Sequence, residues 1–147
     1  MNQPTRRTGK PIIYIDVIKT RFNDLDPYGH VNASVYLDYI ISSRWNYLEK
    51  TIGVNSAELI KQGVGFFLVN SNITYRKPIK GSTEVTVKSW VSSIEGPLLF
   101  VDFAIEGQNG TVFSNGVLQF VVMNLKTGQK QECPKEVEYL LWEKGDG

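Results

Sequence analysis

The sequence predicts an α+β chain in which a curved antiparallel sheet wraps around one long central helix. Three observations predict it. The stretch 33–50 is apolar on almost every side at helical spacing, the region 66–123 carries four runs of strand type, and the joints between those runs are short and rich in Gly, Pro and Asn. A helix apolar nearly all round is a buried one. Strands joined by short turns pair antiparallel, so the sheet is expected to supply the cover that the helix needs.

Taken in order, residues 1–10 are polar and basic and read as a flexible tail, which leaves 11–147 as a single domain. The run 11–22 is rich in Ile, Val and Tyr and reads as a strand. A polar turn occupies 23–31. Asn32 stands where a helix N-cap is expected, because its side-chain oxygen can accept from an orphan amide of the first turn, and Gly53 stands where the helix should stop. Between them Tyr36, Leu37, Tyr39, Ile40, Ile41 and Trp45 spread round the helix and leave a narrow polar stripe at Asp38, Ser42, Asn46 and Glu49. In 66–77, Phe67, Val69, Ile73 and Tyr75 alternate with Asn70, Asn72, Thr74 and Arg76, so the first face, with Phe66, is expected in the core, with some of Phe66, Phe67 and Tyr75 lining a pocket. Lys80-Gly81 turns the chain, and 83–91 alternates again, with Val85, Val87 and Val91 opposite Glu84, Thr86 and Lys88. A strand over 98–106 follows the Gly96-Pro97 turn. Asn109-Gly110 marks a hairpin, since that turn needs positive φ at both central positions. A long strand fills 110–123, Lys126-Thr127-Gly128 turns, and 134–142 reads as a short terminal helix with proline tolerated in its first turn.

A chain of 147 residues buries roughly 70% of the surface its unfolded form exposes and needs no metal or disulfide to hold a core. Sixteen basic residues face fifteen acidic ones, a balance with no footprint for nucleic acid or an anionic membrane surface. No run approaches the ~20 apolar residues that span a bilayer. The single cysteine, Cys133, rules out an internal disulfide and suits a reducing cytoplasm. His30 is the sole histidine, which excludes a Cys/His zinc cluster and leaves no metal or cofactor to expect.

The chemistry concentrates in 23–32. Ten residues there hold Asp24, Asp26, His30, Asn23, Asn32, Pro27 and Gly29, and they end at the start of the buried helix. Amides at a helix start lack partners and carry partial positive charge, which suits an oxyanion or a carbonyl oxygen. A carboxylate a few residues upstream can face the same spot. Asp26-Pro27-Tyr28-Gly29 equally fits a type I turn, and the residues alone leave both roles open for Asp26.

Arg21-Phe22-x-Asp24-x-Asp26-x-x-Gly29-x-Val31, followed by an aromatic-rich helix, resembles the signature of the 4-hydroxybenzoyl-CoA thioesterase family. Gly29-His30-Val31-Asn32 with Tyr36 resembles the branch that holds acyl-CoA and acyl-carrier-protein thioesterases, and Tyr75-Arg76-Lys77-Pro78-Ile79-x-Gly81 resembles that family's strand end and turn. The resemblance covers about 17–126. It implies the hotdog fold, a homodimer or homotetramer paired along 66–77, and hydrolysis of an acyl-CoA or acyl-carrier-protein thioester. Asp26 matches the family's catalytic carboxylate, with His30 and Asn32 beside it. The helix-start amide that polarises the thioester falls near Ala33, with Gly29 and Tyr36 around the substrate. Some relatives carry Tyr or His at the position of Ala33, so a histidine route at that place is in doubt. Arg76, Lys77 and Lys80 form a basic cluster suited to CoA phosphates. Asp26 can attack the thioester or activate a water. A hotdog hydratase using Asp26 and His30 and a non-catalytic acyl-CoA binding protein are the competing expectations.

Overall fold

The computed structural model describes residues 6–143. Six strands form one sheet: β1 (Arg6–Arg7), β2 (Tyr14–Lys19), β3 (Val64–Tyr75), β4 (Glu84–Glu95), β5 (Leu98–Glu106) and β6 (Val112–Asn124). Their order in space is β1-β4-β5-β6-β3, with β2 also on β4, and every pairing is antiparallel. Helix α1 (Tyr36–Tyr47) follows a 3-10 turn at Ala33–Val35 and runs on through a wider π turn at Leu48–Ile52. The helical run thus covers the expected 33–50. It stops at Gly53, whose φ of +88° suits a residue without Cβ.

The core lies between α1 and the concave face of the sheet. α1 packs on β2 and β4. Val85, Val87 and Val91 of β4, with Val101, Phe103 and Ile105 of β5, are buried at alternate positions and face it. Each such side chain contributes about 1.5–3 kcal/mol relative to exposure. Register shifts insert an extra residue in β3 (Val69, between Leu68 and Asn70), in β4 (Ser92, between Val91 and Ser93) and in β6 (Phe113, opposite Ile105/Glu106 of β5). Such bulges bend a strand and increase its twist, which curls the sheet round the helix. At Gly116 of β6 an added Cβ would stand 1.9 Å from the Asn72 carbonyl oxygen of β3. Only glycine lets these two strands pair there.

Four details differ from the expectation. β4 runs on to Glu95, because its bulge shifts the two-residue alternation and hides the strand's second half. A second helix, α2 (Ser56–Lys61), is capped by Asn55, whose Oδ1 accepts from Glu58 N at 3.0 Å. β3 is open over much of both faces: Phe67, Leu68, Val69 and Tyr75 are all exposed, while Val64 is buried and Phe66 and Ile73 pack partly against the core. The alternation is real, but the strand is the sheet's edge and α1 does not reach across it. Arg6 and Arg7 pair with Glu95 and Ile94, and the Arg7 side chain ion-pairs with Glu138 and donates to the Cys133 carbonyl at 3.1 Å. That much of the tail is tied to the fold; residues 1–5 lie outside the described ones. The terminal segment forms a 3-10 helix at Lys135–Leu140.

Candidate active site

The loop before α1 is built largely by main-chain bonds. Asp24, at the end of a 3-10 turn, points inward and is buried. Its Oδ2 accepts from the Tyr39 hydroxyl at 2.5 Å, from Arg21 N at 3.0 Å and from Arg21 Nε at 3.2 Å. Burial alone would raise the Asp24 carboxyl; the Tyr39 hydroxyl and then Arg21 outweigh it and hold the group below its ordinary value. Asp24 therefore anchors the loop to the first turn of α1.

Asp26 behaves differently. Its carbonyl accepts from Gly29 N at 3.0 Å, which closes the turn Asp26-Pro27-Tyr28-Gly29, with Gly29 at φ +78°. Its carboxylate Oδ1 accepts from Tyr28 N at 2.9 Å and His30 N at 3.1 Å. Asp26 Oδ2 has no hydrogen-bond partner among the described residues and is not sealed from solvent. The turn role and an open carboxylate oxygen thus coexist in one residue. The loop is docked from below by Ile79–Gly81: Val31 N donates to Ile79 O at 2.8 Å and Gly81 N to Gly29 O at 3.1 Å, while His30 bridges to Lys80.

A cavity of about 290 Å³ opens at this point, and Asp26, His30, Ala33, Tyr36, Arg76 and Lys77 line it. Six of the residues singled out in the sequence meet there. Ala33 is exposed, and its N–H has no acceptor among the described residues. Tyr36 is buried, which raises its hydroxyl above the ordinary value, with the Ile79 backbone opposing. Three others stand beside the cavity. Asn32 Oδ1 accepts from Ser34 N at 3.1 Å and Ser34 Oγ at 3.0 Å, so that oxygen is engaged as the helix cap. Gly29 sits in the turn, and Lys80 is exposed on the adjoining strand segment. Arg76 Nε donates to Asn115 Oδ1 at 2.8 Å, which leaves its terminal nitrogens facing outward.

Tyr75, expected in the core or on a pocket wall, is a wall residue of this cavity. It is half exposed, its ring meets Tyr36 edge-on at 4.8 Å, and its hydroxyl donates to Ala33 O at 3.2 Å. The signal was its place at the head of Tyr75-Arg76-Lys77-Pro78, where a strand end reaches the helix start. Among the described residues no three His, Cys, Asp or Glu side chains gather as metal ligands, and no helix is long and apolar enough to cross a membrane.

A model of the thioesterase-like superfamily matches residues 20–141. The chain belongs to that superfamily. It is 32% identical over 112 residues to the long-chain acyl-CoA thioesterase FadM of Escherichia coli, across 75% of this chain and 83% of that one. The crystal structure of the probable thioesterase YbaW from Escherichia coli superposes with a TM-score of 0.76 at 29% identity, over 86% of this chain and 95% of that one. A Staphylococcus aureus protein solved in complex with CoA shares the fold at a TM-score of 0.77 and 15% identity, over 91% and 84% of the two chains. The sheet curled on α1 is the hotdog fold, and the chain is a thioester hydrolase.

Proposed function

We propose that the chain hydrolyses acyl-CoA thioesters, with Asp26 as the reacting carboxylate. The observation that carries this reading is the shared cavity: Asp26, whose Oδ2 is open, and Ala33, whose N–H is unpaired among the described residues, both line it. The thioester carbonyl oxygen accepts from Ala33 N–H, which sits at the positive end of the helical run. Asp26 Oδ2 then attacks the carbonyl carbon, or removes a proton from a water that does so. The C–S bond breaks and the thiolate leaves with the bonding pair and takes up a proton; on the first route a water then opens the Asp26–acyl anhydride, which releases the acid and restores the carboxylate, and on the second the acid forms directly. A thiolate leaves readily, so the reaction asks for no dedicated acid. His30 borders the same space and orients water or substrate, while Tyr36 and Gly29 shape its floor and rim. Arg76, Lys77 and Lys80 hold the CoA phosphates.

A second copy pairs along β3. Its twelve residues form an open edge with Phe67, Leu68, Val69 and Tyr75 exposed, an arrangement that invites pairing with another strand. Light scattering on the eluting protein tests this; a monomer at every concentration overturns it. The single cysteine, free and buried, suits a cytoplasmic setting.

The test of the reaction is thiol release from a panel of acyl-CoAs by the native protein and by Asp26→Asn. Release that falls at least about 10²-fold in a folded variant, within the range of a lost general base, supports both reaction and residue. Release untouched by the substitution removes Asp26 from the chemistry. Activity on acyl-carrier-protein thioesters alone moves the substrate from CoA to the carrier.

A further inference from the structure

A second cavity, of about 300 Å³, lies toward the far end of α1 and contains a charge that the hydrolysis above does not use. Its walls are apolar: Ile41, Leu48, Phe66, Val91, Leu99 and Phe120 among them. Arg44 lines it as well. The guanidinium rests 4.1 Å from the centre of the Tyr14 ring, and its Nη1 donates to Ser89 Oγ at 2.9 Å. Both partners are neutral. The Tyr14 hydroxyl donates to the Leu140 carbonyl at 2.7 Å, and no hydrogen bond joins it to Arg44 among the described residues.

No carboxylate lines this cavity among the described residues. The nearest acids in sequence are engaged or distant: Asp38 ion-pairs with Arg21, and Glu49 is exposed on the polar stripe. Of the five N–H donors a guanidinium offers, one reaches an acceptor in the described chain. Arg44 is half-buried, and a charge drawn even partly from water among apolar side chains is costly unless it is paired. The ring contact meets part of that cost. Burial pulls the Arg44 group down to about 10, with Tyr14 opposing, which still leaves it cationic at neutral pH.

An apolar cavity with one unpaired cation describes its ligand: an apolar chain that ends in an anion. Arg44 lies eleven residues beyond Ala33, about 16 Å along a helix that rises 1.5 Å per residue. An extended chain advances roughly 1.2 Å per bond, so about thirteen bonds span that distance. We infer that the acyl group lies along α1 from Ala33 into this cavity and that Arg44 receives a carboxylate at its far end, so that the enzyme takes ω-carboxyacyl thioesters. The inference rests on the thioesterase reading for its substrate and on the Arg44 geometry for its selectivity.

The test compares kcat/KM on acyl-CoAs with and without a terminal carboxylate, in matched lengths that bracket thirteen bonds, for the native protein and Arg44→Met. Methionine keeps an unbranched apolar stem in the cavity. The native protein should prefer the carboxylated series by at least about tenfold, the low end of a charge-assisted hydrogen bond. Arg44→Met should lose that preference while keeping its rate on the plain series. Equal native rates on the two series, or a parallel loss on both in the variant, overturn the inference. Should Arg44→Met fail to fold, Arg44→Lys takes its place and should retain the preference; its loss there counts against a charge-reading role. Calorimetric titration separates the two levels. A fatty acid should bind the native protein at least about tenfold more tightly than the alcohol of the same length, again through a charge-assisted bond, and Arg44→Met should remove the difference. No turnover of any thioester, with that difference intact, fails the acyl-CoA reading and spares Arg44. Turnover with no such difference fails Arg44 and spares the reading.

Discussion

The two cavities along α1 have nearly the same size, about 290 and 300 Å³, and opposite chemistry. The one at the helix start is bounded by a carboxylate, an unpaired amide and two cationic side chains. The one toward the helix end is bounded by aliphatic and aromatic side chains and a single guanidinium. A hydrolysis that develops negative charge on oxygen needs the first kind of wall, and an acyl chain leaving water needs the second. Volume alone does not separate them. What separates them is what each leaves open among the described residues: an unbonded carboxylate oxygen and N–H at one end, a cation without a counter-ion at the other.

The largest expected effect breaks the polar end alone. Asp26→Asn should lower kcat by about 10²–10⁴-fold, the usual contribution of a positioned general base, with little change in thermal stability. The Asn carbonyl can still accept the Tyr28 and His30 amides, and steady-state kinetics beside a melting curve read both quantities. Leu99→Ala attacks the apolar end. Leu99 is buried on that cavity's wall, and its truncation should cost roughly 2–5 kcal/mol of stability. Turnover of a short acyl substrate should be nearly unchanged; a kcat that collapses with the stability would mean that the two ends are not separable.

Tyr39→Phe tests what joins them. It removes the hydroxyl that Asp24 accepts from, and should cost about 1.5–3 kcal/mol, as for a hydrogen bond to a charged group. Asp24 is held below its ordinary value in the fold, so it binds its proton more weakly there than in the unfolded chain. Its stabilisation is complete above about pH 4, the unfolded value, and fades as pH falls through the lowered folded value. Urea midpoints below pH 4 should therefore fall less steeply for Tyr39→Phe than for the native chain. The smallest effect is that of Asn32→Ala, about 1 kcal/mol for a lost cap. A far larger fall in kcat than in stability would show that Asn32 also touches the reaction.

Much of the fold was legible because the helix announces itself. A run apolar on all sides needs cover, and four strand-like runs with short joints can give it. The β5 boundaries follow the alternation over 98–106. Where alternation was interrupted, legibility fell: the bulge at Val91/Ser93 hid the end of β4. Helix α2 was missed although Asn55 and Glu58 stand in a capping spacing, because only six residues follow the cap. The density of polar groups in 23–32 pointed to the site, and Asp26, His30, Ala33 and Tyr36 do share a cavity. Tyr75 read as core or pocket wall alike, because an aromatic in an alternating strand looks like core, and only the sheet order makes β3 an edge. Arg44 gave no signal at all. An arginine on a helix is ordinarily solvated, and nothing local reveals that it packs on Tyr14, thirty positions earlier in the chain.

The pose of Asp26 is set by the amides of Tyr28 and His30, and amides belong to every residue but proline. Side chains at 28 and 30 can therefore be exchanged without removing the two bonds that aim the carboxylate. Tyr28 is almost wholly exposed at 84%, and His30 faces the cavity. The loop is thus a place where substrate preference can drift, or be selected in the laboratory, while the reactive group stays where it is. Positions 27 and 29 do not share that freedom, because the turn itself depends on them. Variation in this enzyme should collect between the fixed points of its own backbone.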